Sequence, residues 1–194
     1  MLLWLHGGAY CLGSCRTHAP LVAALAVRAG VGAALPDYRL APEHAFPAAP
    51  EDARAAWDAL PACVIAFSPW TDLTLSGASL ARLARRDAFL PAVRLAEIRD
   101  QYLAGADPAD PRASPHLGRF GGAPPVLIQA SRAEILLDDA RLMAARLEAD
   151  GAPVSLDLVR GVPHVWQAYH ARLPEAAAAL DRAAAFLARN LKSA

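Results

Sequence analysis

The chain has 194 residues, which is enough for one domain with a substantial buried core. Hydrophobic residues make up 55% of it and charged residues 20%, and 19 basic side chains balance 19 acidic ones. Nothing in this neutral balance indicates a polyanion-binding face, so no nucleic-acid partner is expected. The apolar runs are far shorter than the roughly 20 residues of a membrane-spanning helix, and no secretory signal is visible.

Five short apolar runs predict β-strands, and five helical patterns alternate with them. The strands are predicted at Leu2 to Leu5, Gly32 to Pro36, Cys63 to Phe67, Pro125 to Gln129 and Val154 to Val159. The helices are predicted at about 18–29, 48–60, 91–103, 137–149 and 174–191. This alternation indicates a parallel sheet covered on both faces. The expected fold is a three-layer α/β sandwich with a mainly parallel sheet, as one domain over residues 1–194.

Two connections stand out between these elements. Residues 105–124 are rich in Gly and Pro and are predicted to form a long ordered loop. At the other extreme, only Pro61 and Ala62 separate the second helix, which ends at Leu60, from the strand that begins at Cys63. Such a short connection is allowed, but it leaves no room for a further strand, turn and helix.

The three cysteines do not form a recognisable ligand set. Cys11 and Cys15 are close enough in sequence to share a metal, but no second pair completes the site. No metal site is therefore expected at the cysteines. Buried or incidental thiols in a reducing cytoplasm are the preferred interpretation, and the expected location is cytoplasmic.

A glycine-containing loop follows the first predicted strand, with the sequence His6-Gly7-Gly8-Ala9. Small residues there allow backbone N–H groups to point at a negative charge that develops on a substrate oxygen. An ordinary glycine turn after a buried strand explains the same pattern. The loop gains weight only from the other candidate residues of the chain.

A histidine and two carboxylates follow the last strands. His164 lies just after the fifth predicted strand, where open α/β sheets place their sites, and is the candidate general base. Glu134 and Asp138 follow the fourth strand, and either carboxylate there would orient the imidazole. Acidic residues in a first helical turn also complement the helix dipole, so a purely structural role stays open.

No serine has the sequence surroundings of a nucleophile. Such a serine stands on a tight G-x-S-x-G turn between a buried strand and a helix, and the chain has no such motif. Ser79 comes nearest, in Gly77-Ala78-Ser79-Leu80-Ala81, but a polar stretch precedes it. Ser14 is the other weak candidate. Ser68 and Ser131 also flank strands, where structural hydrogen bonding is the preferred role.

Taken together, these motifs resemble those of the hormone-sensitive-lipase-like family of bacterial carboxylesterases, which has the α/β-hydrolase fold. The matching stretches are LHGGAYCLGS (5–14), DYRLAPEHAFPAAPEDA (37–53), FSPWTDLTLSG (67–77), ASRAEILLDDA (130–140) and GVPHVW (161–166). They occur in the family's order and span almost the whole chain. The resemblance implies hydrolysis of short-chain carboxylic esters without a metal or cofactor, on a small-molecule ester or acyl ligand.

The resemblance also implies roles for individual residues. The backbone of Gly8 and Ala9 would supply oxyanion donors, with Gly7 shaping their loop. His164 matches the family's base. Glu134 stands where the family usually has an aspartate that orients this base, and Asp138 matches a second acidic position.

Two departures from the family pattern matter. The glycine loop begins at residue 6, without the N-terminal cap and the two strands that usually precede it. Between Leu60 and Pro61 the family has a strand, a G-D-S-A-G turn and a helix, and this chain shows an apparent internal deletion there. The loss removes the nucleophile and a central strand, and it leaves strand edges open to a homodimer.

Three hypotheses follow. The chain is a truncated α/β-hydrolase that hydrolyses short-chain esters through an unrecognised nucleophile. Alternatively it is a catalytically inactive remnant that acts, if at all, as a binding module. The third hypothesis is an internally deleted form of an active esterase. The short junction at Leu60 and the early start of the glycine loop favour the last two.

Overall fold

The computed structural model describes residues 1–56 and 60–191. Its strands are β1 (Leu2–Leu3), β2 (Ala33–Ala34), β3 (Val64–Phe67), β4 (Val126–Ser131) and β5 (Val154–Val159). Its α-helices are α1 (Cys15–Ala29), α2 (Ala48–Ala55), α3 (Ser79–Arg82), α4 (Leu95–Leu103), α5 (Leu137–Ala149) and α6 (Pro174–Leu191). Three 3-10 turns add Ala92–Arg94, Pro115–Leu117 and Trp166–Tyr169.

Each predicted strand and helix has its counterpart in the structure, with some changes of length. The first two strands are only two residues long, shorter than their apolar runs. Helix α1 begins at Cys15 rather than 18, because the Ser14 hydroxyl accepts from the Thr17 amide and so caps an additional turn. The short helix α3 was not predicted, and the end of the predicted second helix lies partly outside the described residues.

The strands form two parallel sheets rather than the single sheet that was expected. One sheet pairs β1 with β2, with Leu2 opposite Ala33. The other has the order β3-β4-β5, with Val126 of β4 opposite both Val64 and Val154. Parallel pairing throughout confirms the α/β class. No ladder joins β1 to β3 within the part of the chain that the structure describes.

Three layers are clearest around β4, whose six residues are all buried. Alternate side chains of this strand face opposite ways, as the pleat requires. Leu127 packs in one cluster with Leu25 of α1 and Leu180 of α6. Ile128 packs in another with Ala140 of α5. The sandwich is therefore α1 and α6, then the sheet, then α5.

No helix among residues 1–56 and 60–191 is long and apolar enough to cross a membrane.

Candidate active site

The candidate base and acid meet at the carboxyl ends of the larger sheet. Glu134 follows β4 by three residues and is 1% exposed. His164 lies in the loop after β5, with 12% of its side chain exposed. Its Nδ1 lies 3.3 Å from Oε2 of Glu134. This is contact distance, although Nδ1 has no partner in hydrogen-bond geometry among the described residues. Catalytic hydrogen bonds are often long or poorly aligned before substrate binds.

Ser68 joins this acid to the loop of the base. It directly follows β3, is 4% exposed, and has a left-handed backbone with φ 46°. Its hydroxyl donates to Oε2 of Glu134 at 2.8 Å and accepts from the Val165 amide at 3.1 Å. Because Val165 is the next residue after His164, the serine holds acid and base loop against each other. This is the structural role expected of it.

The glycine loop has a backbone that few residues can adopt. Gly8 has φ 133°, and a Cβ added there would stand 2.0 Å from the carbonyl oxygen of Leu12. Ala9 follows with φ 51°. The Gly8 carbonyl accepts from the Leu12 amide at 2.9 Å, which closes the turn. Within the described part of the chain, the amides of Gly8 and Ala9 donate to no protein acceptor. Both N–H groups are therefore available to a ligand oxygen.

The remaining amide of the loop already has a partner. Gly7 donates to Nε2 of His18 on α1 at 3.3 Å. Burial lowers the pKa of His18, which keeps that nitrogen free to accept. On the other side, the ring of His6 stacks on Tyr38 with centroids 4.2 Å apart, and the Tyr38 hydroxyl donates to the His6 carbonyl. These contacts fit the expectation that Gly7 shapes the loop.

Asp138 and Ser79 lie together, apart from the His164–Glu134 pair. The Ser79 amide donates to Oδ2 of Asp138 at 2.8 Å, and the Asp138 amide donates back to the serine hydroxyl at 3.0 Å. That hydroxyl is 0% exposed and donates to the Ile135 carbonyl. Arg141 pairs with the other oxygen of Asp138 at 2.9 Å. Asp138 therefore joins α5 to α3, and the Ser79 hydroxyl is buried and already hydrogen-bonded.

The other serines are also engaged in structural contacts. Ser14 caps α1, in a capping box with Thr17. Ser131 at the end of β4 is buried, and its hydroxyl donates to the Val162 carbonyl. None of the serines named as candidates, all within the described residues, makes a hydrogen bond to the ring of His164.

The sequence indicates no role, or only a minor one, for three residues near the site. Ser68 carried one usable signal, its place at the carboxyl end of a strand. His18 lies within α1, and no sequence signal links it to the glycine loop. Phe89 packs on the ring of His164, with centroids 5.7 Å apart, although 56% of it is exposed. No sequence signal marks Phe89, because it belongs to an irregular segment.

A second buried carboxylate lies in the same region. Asp139 of α5 is 1% exposed, and its Oδ1 accepts from the amides of Thr71 and Asp72, both at 2.9 Å. Burial raises the pKa of Asp139 to about 7, and the two amides oppose this without cancelling it. The carboxyl group fixes the loop after β3 to α5.

Nothing in the described residues points to a metal centre. No group of three or more His, Cys, Asp and Glu side chains there is placed to hold a metal ion.

Comparison with known proteins identifies the family. The sequence profile of the alpha/beta hydrolase fold family matches residues 2–62 and 58–168. An acetyl-hydrolase of Streptomyces hygroscopicus is 38% identical over 96% of this chain and 74% of its own length. An esterase of Acinetobacter venetianus is 32% identical over the same shares. A solved esterase of the bacterial hormone-sensitive lipase family superposes with a TM-score of 0.94 at 33% identity, covering 97% of this chain and 76% of that one.

The sequence resemblance is therefore confirmed, and the chain spans about three quarters of the length of these relatives. With a profile match over most of its length, parallel sheets between helix layers, and relatives that are esterases, the chain belongs to the α/β-hydrolase fold family.

Proposed function

We propose that this chain carries the base, acid and oxyanion parts of a carboxylic-ester hydrolase that acts on short-chain acyl esters. Its family is that of esterases and acetyl-hydrolases. The observation that carries the proposal is the buried Glu134 at 3.3 Å from Nδ1 of His164, tied to the base loop by Ser68. The name of the Streptomyces relative supports the acetyl end of the acyl range.

The geometry supports a Ser-His-acid mechanism in which each group has one task. His164 takes the proton of an attacking hydroxyl and later gives it to the leaving alcohol. Glu134 stabilises the imidazolium that forms in between. The free amides of Gly8 and Ala9 donate to the oxygen that becomes negative in the tetrahedral intermediate.

The attacking hydroxyl is the part that no described serine supplies. Removing the serine from such a triad lowers turnover by about 10⁶-fold, with roughly 10³-fold over water left from binding and oxyanion stabilisation. A slow hydrolysis in which water attacks directly is consistent with the remaining groups. The second candidate function is an inactive scaffold that binds acyl ligands, and the buried engagement of Ser79 favours it.

Hydrolysis of p-nitrophenyl acetate and butyrate by the purified protein tests the proposal. We expect slow turnover above the solution background that His164→Ala abolishes. His44→Ala, which removes an exposed histidine, is the matched control and keeps that turnover. Equal rates for wild type and His164→Ala would contradict the proposal and leave the binding scaffold. A cytoplasmic location and a homodimer remain predictions of the sequence.

A further inference from the structure

Four of the strands that the structure describes, β1, β2, β3 and β5, each have one edge without a partner strand. Among the strands that the structure describes, β1 pairs only with β2, and β3 pairs only with β4. By contrast, β4 pairs on both sides. An unpaired edge exposes a row of N–H and C=O groups that can accept a further strand.

The unpaired edges of β1 and β3 lie side by side over the same helices. Leu2 and Trp4 from the β1 side pack against the cluster formed by α1 and α6. Ile65 and Phe67 of β3 pack against the same cluster. The rings of Trp4 and Phe67 are 5.7 Å apart. We call the space between these edges the strand slot, bounded by β1 on one side and β3 on the other.

The face of the slot away from α1 and α6 is incompletely covered. Val64 of β3 faces away from Ile65, because side chains alternate along a strand. Leu5 lies just beyond β1 and outside the cluster that Trp4 packs against. Leu5 is 46% exposed and Val64 39%. The residues of β4, which α5 covers on that face, are all buried. The slot therefore lacks a helix as well as a strand.

The comparisons show that a segment of the relatives has no counterpart here. The alignment with the Streptomyces acetyl-hydrolase extends over 222 positions, of which roughly thirty-five have no residue from this 194-residue chain. The family profile matches in two stretches that meet at residues 58–62. Yet the elements present superpose on the solved esterase with a TM-score of 0.94. The flanking elements thus keep the family arrangement around the slot.

We propose that the strand slot binds one apolar β-strand, parallel to β1 and β3 and followed by a helix, from a second polypeptide. About thirty-five residues suffice for a strand and a crossover helix. The strand must be apolar on both faces, because α1 and α6 cover one and its own helix covers the other. A folded second copy does not supply such a segment, because β4, its strand with both faces buried, is already paired on both sides.

The bound segment would bring its strand-to-helix turn to the catalytic groups. Parallel strands end at the same edge of a sheet, and β1 leads into the glycine loop while β3 leads into Ser68. A serine on the turn therefore stands between the amides of Gly8 and Ala9 and the ring of His164. This catalytic part rests on the proposed function, whereas the docking part does not.

The completed site would hydrolyse an ester in two steps, acylation of the serine and then its deacylation. The serine oxygen bonds to the ester carbonyl carbon while its proton passes to His164, and the alcohol leaves with that proton. Water then attacks the acyl-serine through the same base, which releases the carboxylic acid and restores the serine hydroxyl.

A synthetic peptide tests docking and catalysis separately. The peptide has about 35 residues, with an apolar strand, a G-x-S-x-G turn and a helix, and it carries a fluorescein label. The matched peptide has alanine in place of the turn serine, and a third has a scrambled strand. We expect saturable binding of the first two, measured by anisotropy, and at least tenfold weaker binding of the scrambled one. Only the serine peptide should speed p-nitrophenyl butyrate hydrolysis, and His164→Ala should abolish the gain.

Variants of the chain locate the binding. We expect Leu5→Arg and Val64→Arg to weaken peptide binding at least tenfold, with circular dichroism showing that both remain folded. Val93→Arg, at a residue 92% exposed on the turn before α4, should bind like wild type. Binding without hydrolysis would support the docking site and contradict the proposed function. Equal binding of the scrambled peptide, or none by the folded protein, would overturn the docking site. So would a dimer that Leu5→Arg dissociates and no peptide displaces.

Discussion

The two sheets of this molecule differ in how completely they are built. In the larger sheet, β4 has six buried residues, a partner strand on each side and a helix layer on each face. The smaller sheet consists of two strands of two residues, and no residue of β1 is buried. The larger sheet carries the candidate acid and base, whereas the smaller one carries the glycine loop. The candidate acid and base therefore rest on the better-packed part of the fold.

The largest expected effect is on the free energy of unfolding. It tests whether side chains of the larger sheet contribute more to stability than those on the β1 side. We expect Ile128→Ala, at a residue 0% exposed in β4, to lower the free energy of unfolding by about 2–5 kcal/mol, because it leaves a cavity. Leu5→Ala, beside β1, should change it by less than about 1 kcal/mol. Urea unfolding of both variants measures the difference. Similar losses would show that the β1 side is as well packed as β4.

The next effect is a dependence of stability on pH, which comes from Asp139 of α5, the helix that packs on the larger sheet. The pKa of Asp139 is raised to about 7 by burial, so the folded protein holds a proton that the unfolded chain loses near pH 4. The contribution of Asp139 to the free energy of unfolding is therefore greatest below about pH 4. It decreases as the pH rises towards 7 and is constant above pH 7. This contribution to the free energy of unfolding decreases by at most roughly 4 kcal/mol between pH 4 and pH 7.

Asp139→Asn removes this dependence, because an amide oxygen still accepts from the Thr71 and Asp72 amides but does not ionise. The difference in unfolding free energy between wild type and variant should decrease steadily from pH 4 to 7. Asp181→Asn, at a largely exposed carboxylate, is the control and should leave the slope unchanged. Parallel slopes for wild type and Asp139→Asn would show that Asp139 is ionised in the folded protein.

The smallest effect concerns the link between acid and base loop. We expect Ser68→Ala to cost about 1–3 kcal/mol, because Oε2 of Glu134 and the Val165 amide lose a buried partner. Ser155→Ala, at an exposed position of β5, should cost less than about 0.5 kcal/mol. Thermal or urea unfolding distinguishes the two variants. A loss no greater than that of Ser155→Ala would mean that water replaces the hydroxyl at no cost.

The same contrast explains what could be predicted from the sequence. The bounds of β5, α5 and α6 match their predictions, because long apolar periodicity follows from burial against a complete sheet. The predicted strands at Leu2 to Leu5 and Gly32 to Pro36 are too long. The apolar runs there indicate that these residues tend to be buried. The length of a strand also depends on the strands that pair with it, and β1 has a partner strand on one side only.

The predictions for the site also divide into those that local sequence supports and those that need long-range contacts. His164 and Glu134 are predicted as base and acid because strand ends mark positions near a site, and the structure brings their side chains together. The sequence prefers Glu134 and keeps Asp138 as the alternative, but the contact between Asp138 and Ser79 is visible only in the structure. Ser68 contacts Glu134 across 66 residues, and the Ser79 amide reaches Asp138 across 59. No local pattern encodes contacts of such range.

The backbone of Gly8 has a consequence for mutational tolerance. Any side chain there would meet the Leu12 carbonyl at 2.0 Å, so folding alone restricts this position to one amino acid. In a library of variants selected only for folded protein, glycine at position 8 would persist even in a chain that hydrolyses nothing. Its retention therefore reports the shape of the loop, and evidence of catalysis has to come from positions such as His164, which folding leaves freer to vary.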